Sequence, residues 1–400
     1  MKRAIYLICV LVLLFPCLTV FGQEHQRPQV PIMGWSSWNH FHIDIDEKMI
    51  REQANAMVSS GMQDVGYSYI NIDDGYFGGR DSSGKLLPHP TKFPSGMKNL
   101  ADYIHSKGLK AGIYSDAGNN TCASISQNDK YGKGVGLIGH DEQDLKILLR
   151  EWEYDFIKID WCGGRGMVLD DQKRYTEIGE HIRSIRPDVV YNICRWKFPG
   201  EWAIDVADSW RISGDIRPTF SSIMRILDLN TNLWRYCSAG HFNDMDMLQV
   251  GRGMSYEEDK THFTMWCMLN SPLLAGNDLR EMSQETIDIL TNKEIIALNQ
   301  DPLAYQARKL VDNGKTEIWA KPLSSIKDGI VAIVLLNRSS STKTIELNLE
   351  TVGIDQNAPY RLRDLWKKEG ISSETLQFEV PKHGVVALRI EGTAVGDVYQ

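Results

Sequence analysis

From residue 32 to about residue 300 the chain alternates two kinds of segment. Short, largely apolar runs of strand length recur: "IMGWSSW" (32–38), "SYINIDDG" (68–75), "KAGIYSD" (110–116) and "FIKIDWC" (156–162). They continue with "VVYNICRW" (189–196), "SWRISGD" (209–215), "HFNDMDML" (241–248) and "CMLNSPLLAG" (267–276). Amphipathic stretches separate most of them. In "DEQDLKILLREW" the residues Leu145, Leu148, Leu149 and Trp152 follow the i, i+3, i+4, i+7 spacing of one helix face. "MKNLADYIHSKG" closes on Lys107 and Gly108, a helix C-terminal signal. Eight strands alternating with helices over about 270 residues predict a (β/α)8 TIM barrel. A doubly wound open sheet is the alternative, but no GxGxxG or P-loop follows the first strand, which leaves a nucleotide-binding sheet without support.

After "NQDPLAYQ" (299–306) the period changes. "TEIWAKPL", "GIVAIVLLN", "TKTIELNL" and "HGVVALRI" are short β-rich runs with polar turns and no helical spacing. They predict a separate C-terminal antiparallel β-sandwich domain. The expected division is a leader over 1–22, a barrel over 23–305 and the β domain over 306–400.

The leader reads as a signal peptide. Lys2 and Arg3 precede the apolar "AIYLICVLVLLF", and Val20 and Gly22 are small residues at the −3 and −1 positions of a cut before Gln23. A lipoprotein cut at Cys17 is the weaker alternative, because Pro16 is a poor neighbour for it. The apolar run is short for a membrane anchor. The expectation is an exported protein, periplasmic or secreted, with no membrane span after cleavage.

Composition narrows the partners. Apolar residues make up 42% and charged residues 24%, which is ordinary globular material. The net charge of −8 argues against nucleic acid or an anionic membrane surface, which both need a basic face. Of seven cysteines, Cys9 and Cys17 fall in the leader. The remaining five are an odd number in an oxidising compartment, so at least one has no partner within the chain. They show no CxxC and no zinc spacing.

The polar residues gather at one end of the strands. The second strand ends in Asp73-Asp74, the third in Asp116 and the fourth in Lys158, Asp160 and Cys162. The sixth ends in Arg211 and Asp215, and the seventh in Asp244 and Asp246. In a barrel those ends form the active site. Period-2 alternation puts Lys158, Asp160 and Cys162 on one face and Ile157, Ile159 and Trp161 on the other. Arg211, Ser213 and Asp215 share a face in the same way. Any single Asp at a strand–helix junction is readily a helix cap. The whole set is better explained by a site, because buried ions are costly unless paired.

Two carboxylates with flanking cations at a barrel mouth suit glycoside hydrolysis, one as nucleophile and one as proton donor. Lys158 is expected to depress the pKa of Asp160 and favour its anion. Asp215 is then the acid, its pKa raised by the neighbouring negative charge. Trp35, Trp38, Tyr76, Tyr114, Trp161 and Trp196 lie near strand ends, where aromatics suit the C–H faces of a sugar.

The motifs "MGWSSWN", "NIDDGY", "GIYSDAGNNTC", "FIKIDWC", "SWRISGDI", "NDMDML" and "SPLLAGNDLR" together resemble glycoside hydrolase family 27, the retaining α-galactosidases. The resemblance runs in order over about residues 31–306. It implies Asp160 as nucleophile and Asp215 as acid/base. It implies Asp73 and Asp74 as the pair gripping O4 and O6 of galactose, Trp38 and Tyr114 as sugar-contacting aromatics, Lys158 and Arg211 as hydroxyl ligands and Asp246 as a wall residue. It implies a Cys122–Cys162 disulfide beside the site, leaving Cys194, Cys237 and Cys267 free. It implies a galactose-containing carbohydrate substrate and no metal or organic cofactor. One motif departs from the family: where members usually read Cys-Glu-Trp after the fifth strand, with that Glu on O2 of the sugar, this chain reads Cys194-Arg195-Trp196. This bears on N-acetyl-α-D-galactosaminides as alternative substrates. β-L-Arabinopyranosides are a further alternative, disfavoured because both members of the aspartate pair are Asp. A reading of a different class is a barrel that binds carbohydrate without cleaving it.

Overall fold

A computed structural model describes residues 27–372 and 376–399, so the leader lies outside the described residues. Eight strands form one parallel sheet: β1 Met33–Ser36, β2 Tyr69–Ile72, β3 Lys110–Asp116, β4 Phe156–Asp160, β5 Val190–Ile193, β6 Ser209–Arg211, β7 Phe242–Asp244 and β8 Leu273–Ala275. Each pairs with its sequence neighbour from β1 to β7, and β8 pairs with β1. Closure comes just past β7, where the Leu248 N–H donates to Leu274 O at 2.7 Å and the Gly276 N–H donates to Leu248 O at 3.1 Å. The sheet is therefore a (β/α)8 barrel rather than a doubly wound open sheet.

Alternation along the strands builds two layers. Ile157, Ile159, Tyr191, Ile193 and Trp210 point outward into the core shared with the helices. Tyr69, Phe156, Val190 and Leu274 point inward and plug the bottom of the barrel. Above that plug lies a polar layer, in which Asn192 Nδ2 donates to Ser209 Oγ at 2.8 Å and to Asp244 Oδ2 at 2.9 Å. The strand-end aspartates stand above it. The side-chain N-caps of the longer flanking α-helices are other residues, Asp46, Asp170, Thr219, Ser255, Ser283 and Asn292, while Met97–Ser106 and Asp141–Lys146 carry no side-chain cap.

Two elements differ from the sequence pattern. The run "CMLNSPLLAG" is not one strand: Cys267 and Met268 finish the helix Tyr256–Met268, which starts on a Ser255–Glu258 capping box, and only Leu273–Ala275 is extended. A short apolar run does not distinguish a buried helix end from a strand. In "DEQDLKILLREW" the α-helix Asp141–Lys146 widens into a π-helical turn over Ile147–Glu151, with Leu145, Leu148 and Leu149 fully buried.

The C-terminal strands are β9 Arg308–Asp312, β10 Thr316–Pro322, β11 Ile330–Asn337, β12 Lys343–Glu346, β13 Arg361–Asp364, β14 Glu369–Ile371, β15 Gln377–Val380 and β16 Val385–Glu391. They form a six-stranded antiparallel sheet in the order β9-β10-β11-β16-β13-β14 and a separate β12–β15 pair. In β11, Ala332, Val334 and Leu336 join the barrel core. Val331, Ile333 and Leu335 face the sandwich interior. One strand thus serves two cores through period-2 alternation.

Lys321 of β10 pins the two bodies together. It is 1% exposed, and its ammonium donates to Leu298 O, Cys267 O and Asn270 Oδ1, all on the barrel side. Lys321→Met strands those acceptors in an apolar seam. It is expected to lower unfolding free energy by ~2–4 kcal/mol. Urea titration checks this, and an unchanged midpoint would contradict the pin.

Candidate active site

The C-terminal mouth of the barrel holds a cleft of about 310 Å³. Its floor is built by Asp73, Lys158, Asp160, Arg211 and Asp246. Trp38, Asp215, Arg165 and Trp196 stand among its walls. Beneath Asp73 and Lys158 the remaining space is a crevice of about 20 Å³, which Tyr114 also lines. The cleft is therefore closed at the bottom and open at one end.

Two buried cations organise the floor. Lys158 Nζ lies 3.0 Å from Asp73 Oδ2, across the barrel from β4 to the end of β2, and 5.6 Å from the centre of the Tyr114 ring. Arg211 Nη2 lies 2.8 Å from Asp246 Oδ2 and 3.1 Å from Asp215 Oδ1. Asp246 also accepts the Ile216 N–H at 2.9 Å, and so fixes the loop that carries Asp215. Its backbone has φ +80°, a left-handed conformation that costs ~1 kcal/mol or more for a residue with a Cβ. That turn ends β7 after Asp244 and aims Asp246 into the cleft. Asp160 accepts its own loop's Trp161 N–H at 2.9 Å and is 4% exposed.

The acidities follow from burial and from which cation each carboxylate meets. Burial raises the Asp160 pKa to about 6, and Lys158 only partly offsets it. Lys158 spends its nearest contact on Asp73, so the expected depression of Asp160 is reversed. Asp215 also departs from expectation, because its side chain is 69% exposed and touches Arg211. Shielding by the cleft raises its pKa, but Arg211 and then Lys158 outweigh that and hold it below the ordinary carboxylate value. Asp160 is therefore the weaker acid of the two.

The cysteine pair is bonded. Cys122 and Cys162 form a disulfide that lines the cleft and joins the loops after β3 and β4. The loops are already in contact there: a Cβ on Gly163 would sit 2.2 Å from Asn120 O. Asp116 holds the same junction, accepting the Gly118 N–H at 2.7 Å and the Gly163 N–H at 3.0 Å. Cys194, Cys237 and Cys267 are free and buried.

Most of the expected site residues converge, and the exceptions have local causes. Asp74 is fully buried behind the cleft, with Gly75 N–H on Oδ1 and Ala123 N–H on Oδ2, and does not line it. Cys162 reaches the cleft by a different route from strand alternation, because β4 stops at Asp160 and Cys162–Gly164 is a 3-10 turn. Likewise β6 stops at Arg211, so Asp215 arrives on a loop and Ser213 is buried away from it. Of the six aromatics, Trp35, Tyr76 and Trp161 are core, while Trp38, Tyr114 and Trp196 reach the cleft or the crevice below it. Arg195 does not line the cleft: its Nε donates to Asp171 Oδ2 at 3.1 Å and its guanidinium lies 4.9 Å from the centre of the Trp161 ring. A nearer carboxylate captures it. The cation that does enter from this side is Arg165, in a glycine-flanked turn that carries no sequence signal.

A barrel mouth with one carboxylate buried in its floor and a second on a loop above it defines a glycoside hydrolase of the two-carboxylate kind. Residues 30–301 match the family model described as alpha galactosidase A, and residues 313–390 match the alpha galactosidase C-terminal beta sandwich domain. Alpha-galactosidase A of Cellvibrio japonicus (strain Ueda107) is 42% identical over 390 residues, covering 91% of this chain and 93% of that one. The alpha-galactosidase of Cyamopsis tetragonoloba is 41% identical over 366 residues, covering 90% and 86%. The crystal structure of alpha-galactosidase I from Mortierella vinacea superposes with a TM-score of 0.86 at 32% identity, covering 93% of this chain and all of that one. The chain belongs to the family 27 α-galactosidases, and it is a glycoside hydrolase that releases galactose.

The disulfide is expected to carry stability as well as shape. Cys122→Ser should cost ~2–4 kcal/mol, since the bridge closes a loop of 40 residues. Thiol titration of the denatured, unreduced protein lacking residues 1–22 should find the three free cysteines, and a titre of five would remove the bridge.

Proposed function

We propose that this protein is an exo-acting α-galactosidase working with net retention, with Asp160 as nucleophile and Asp215 as acid/base. The observation that supports this most is that both carboxylates face one cleft whose floor is closed. A sugar enters such a cleft from one side only, which suits a terminal residue. In the first step an Asp160 oxygen attacks the anomeric carbon, and the bond to the leaving oxygen breaks as Asp215 gives that oxygen its proton. In the second, Asp215 takes a proton from water, the water oxygen attacks the same carbon, and the ester to Asp160 breaks. Two inversions leave the α-anomer.

The remaining residues take binding roles. Asp73 and Lys158, already paired, receive hydroxyls deep in the cleft, with the Tyr114 ring below them. Arg211 and Asp246 form the opposite side of the floor and Trp38 covers a sugar face. Asp74, behind the cleft, holds the loop that presents Asp73. A sugar hydroxyl that takes over the Arg211 contact frees Asp215 to hold the proton.

A division at residues 305/306 is supported by the last barrel helix, Lys293–Asn299, and the first sandwich strand, Arg308–Asp312. Export of the protein is supported by the apolar leader and by the disulfide, which persists in oxidising compartments. Among the described residues no helix is long and apolar enough to cross a membrane.

Asp160→Asn is expected to lower kcat on an aryl α-galactoside by at least about 10³-fold with the fold intact. A barrel that only binds sugar has no turnover to lose. The first sugar released should be the α-anomer by proton NMR, and β-galactose would exclude Asp160 as nucleophile. In a matched series, kcat/KM should favour the α-D-galactopyranoside over the N-acetyl-α-D-galactosaminide and the β-L-arabinopyranoside.

The working form carries one proton on the carboxylate pair. Above the pKa of about 6 that proton leaves, so kcat/KM should fall as pH rises through about 6. It should fall again on the acid side once Asp215 is protonated as well, below the ordinary carboxylate range. The expected profile is a bell displaced to acid pH, and a plateau extending to pH 8 would contradict it.

A further inference from the structure

Three cations line the cleft, and one of them has no carboxylate. Lys158 is paired with Asp73, and Arg211 with Asp246 and Asp215. Arg165 is exposed, and its guanidinium makes neither an ion pair nor a hydrogen bond among the described residues; only its backbone N–H is bonded, to Cys162 O at 3.3 Å. Its guanidinium instead lies 4.1 Å from the centre of the Trp196 ring, which holds the planar fork at a set position. Trp196 is itself held at φ +59°, a conformation that a Trp adopts only when its surroundings impose it. The pair is therefore an ordered feature of the mouth.

Its place relative to the chemistry is defined by Asp215. Arg165 lines the same cleft and is close enough for its charge to act on the Asp215 carboxylate. Asp215 meets the leaving oxygen, so a group on that side of the cleft faces the leaving group rather than the galactose on the floor. Among the described residues, two of the exposed large apolar side chains, Ile125 and Val168, lie on the segments that the disulfide joins, which also carry the cleft-lining Ser126 and Arg165.

We infer that Arg165, stacked on Trp196, is a specificity residue for the leaving group, and that it takes a neutral pyranose ring of an oligosaccharide. The inference rests on the α-galactosidase reading above. A planar fork of N–H donors matches neighbouring ring hydroxyls. An anionic leaving group is disfavoured, because Asp73, Asp160, Asp215 and Asp246 surround the cleft and the chain carries a net charge of −8. Arg165 acts on which galactoside is cleaved, whereas Asp160 and Asp215 act on whether one is cleaved.

The test compares a galactosyl-α-1,6-glucose disaccharide with an aryl α-galactoside, each enzyme at its own optimum pH. In Arg165→Ala the ratio of kcat/KM for disaccharide over aryl substrate should fall about tenfold, the loss of one hydrogen bond to a charged group. A structural defect lowers both rates together and leaves the ratio unchanged, which would overturn the inference. Arg165→Lys keeps the charge but loses the fork, so it should keep the pH profile and still lose most of the ratio. Binding is measured separately in Asp160→Asn by calorimetry, with galactose and with the disaccharide as probes. The disaccharide should bind several-fold more tightly, and adding Arg165→Ala should remove that gain. Equal affinity for the two probes in Asp160→Asn would also overturn the inference. Failure of the wild type to cleave either galactoside would sink the enzymatic reading instead, and the calorimetry would still decide the role of Arg165.

Discussion

The pair formed by Lys158 and Asp73 is the contact around which the mouth of the barrel is arranged. Asp73 is buried and Lys158 largely so, and they come from different strands, so the pair forms only when β2 and β4 are in register through β3. A buried charge without its partner is expensive. Each therefore depends on the closed sheet, and the closed sheet brings Asp160 beside them. Arg211 does the same on the other wall for Asp246 and Asp215. The two pairs let several carboxylates share one low-dielectric cleft.

The arrangement leaves Asp160 and Asp215, the proposed nucleophile and acid/base, with unequal companions. Asp160 is deep and has Lys158 only at second hand, so burial dominates its acidity. Asp215 is shallow and in contact with Arg211, so attraction dominates there. Asp160 is thus the weaker acid of the two, although it is the deeper one. On the proposed roles, substrate hydroxyls that compete for Arg211 would alter that balance at Asp215.

Precision in the loops comes from covalent and backbone constraints rather than from helix packing. The disulfide, the glycine contact at Gly163 and the carboxylate of Asp116 all act on the same junction between the loops after β3 and β4. The left-handed backbone of Asp246 does the corresponding work after β7. The C-terminal sandwich packs on the barrel through one face of its large sheet, with Lys321 satisfied by barrel carbonyls at the seam.

The eight barrel strands, the change of period near residue 306 and the aspartates at the strand ends were all legible in the chain, because alternation and apolar runs are local properties. The inward set Phe156, Lys158, Asp160 follows from period 2 alone. What lies past a strand end does not: Cys162 and Asp215 reach the cleft on turns, where alternation carries no information. The resemblance to a known family supplied the cysteine partners, which spacing left open. Only the tertiary structure decided that Asp74 is turned away, that Arg195 is captured by Asp171 while Arg165 enters the cleft, and that Asp160 is the less acidic of the two carboxylates. Those outcomes depend on which charge lies nearest in space and how deeply each is buried. The linear sequence determines the groups and their faces, but the distances between charges from different strands exist only once the barrel has closed.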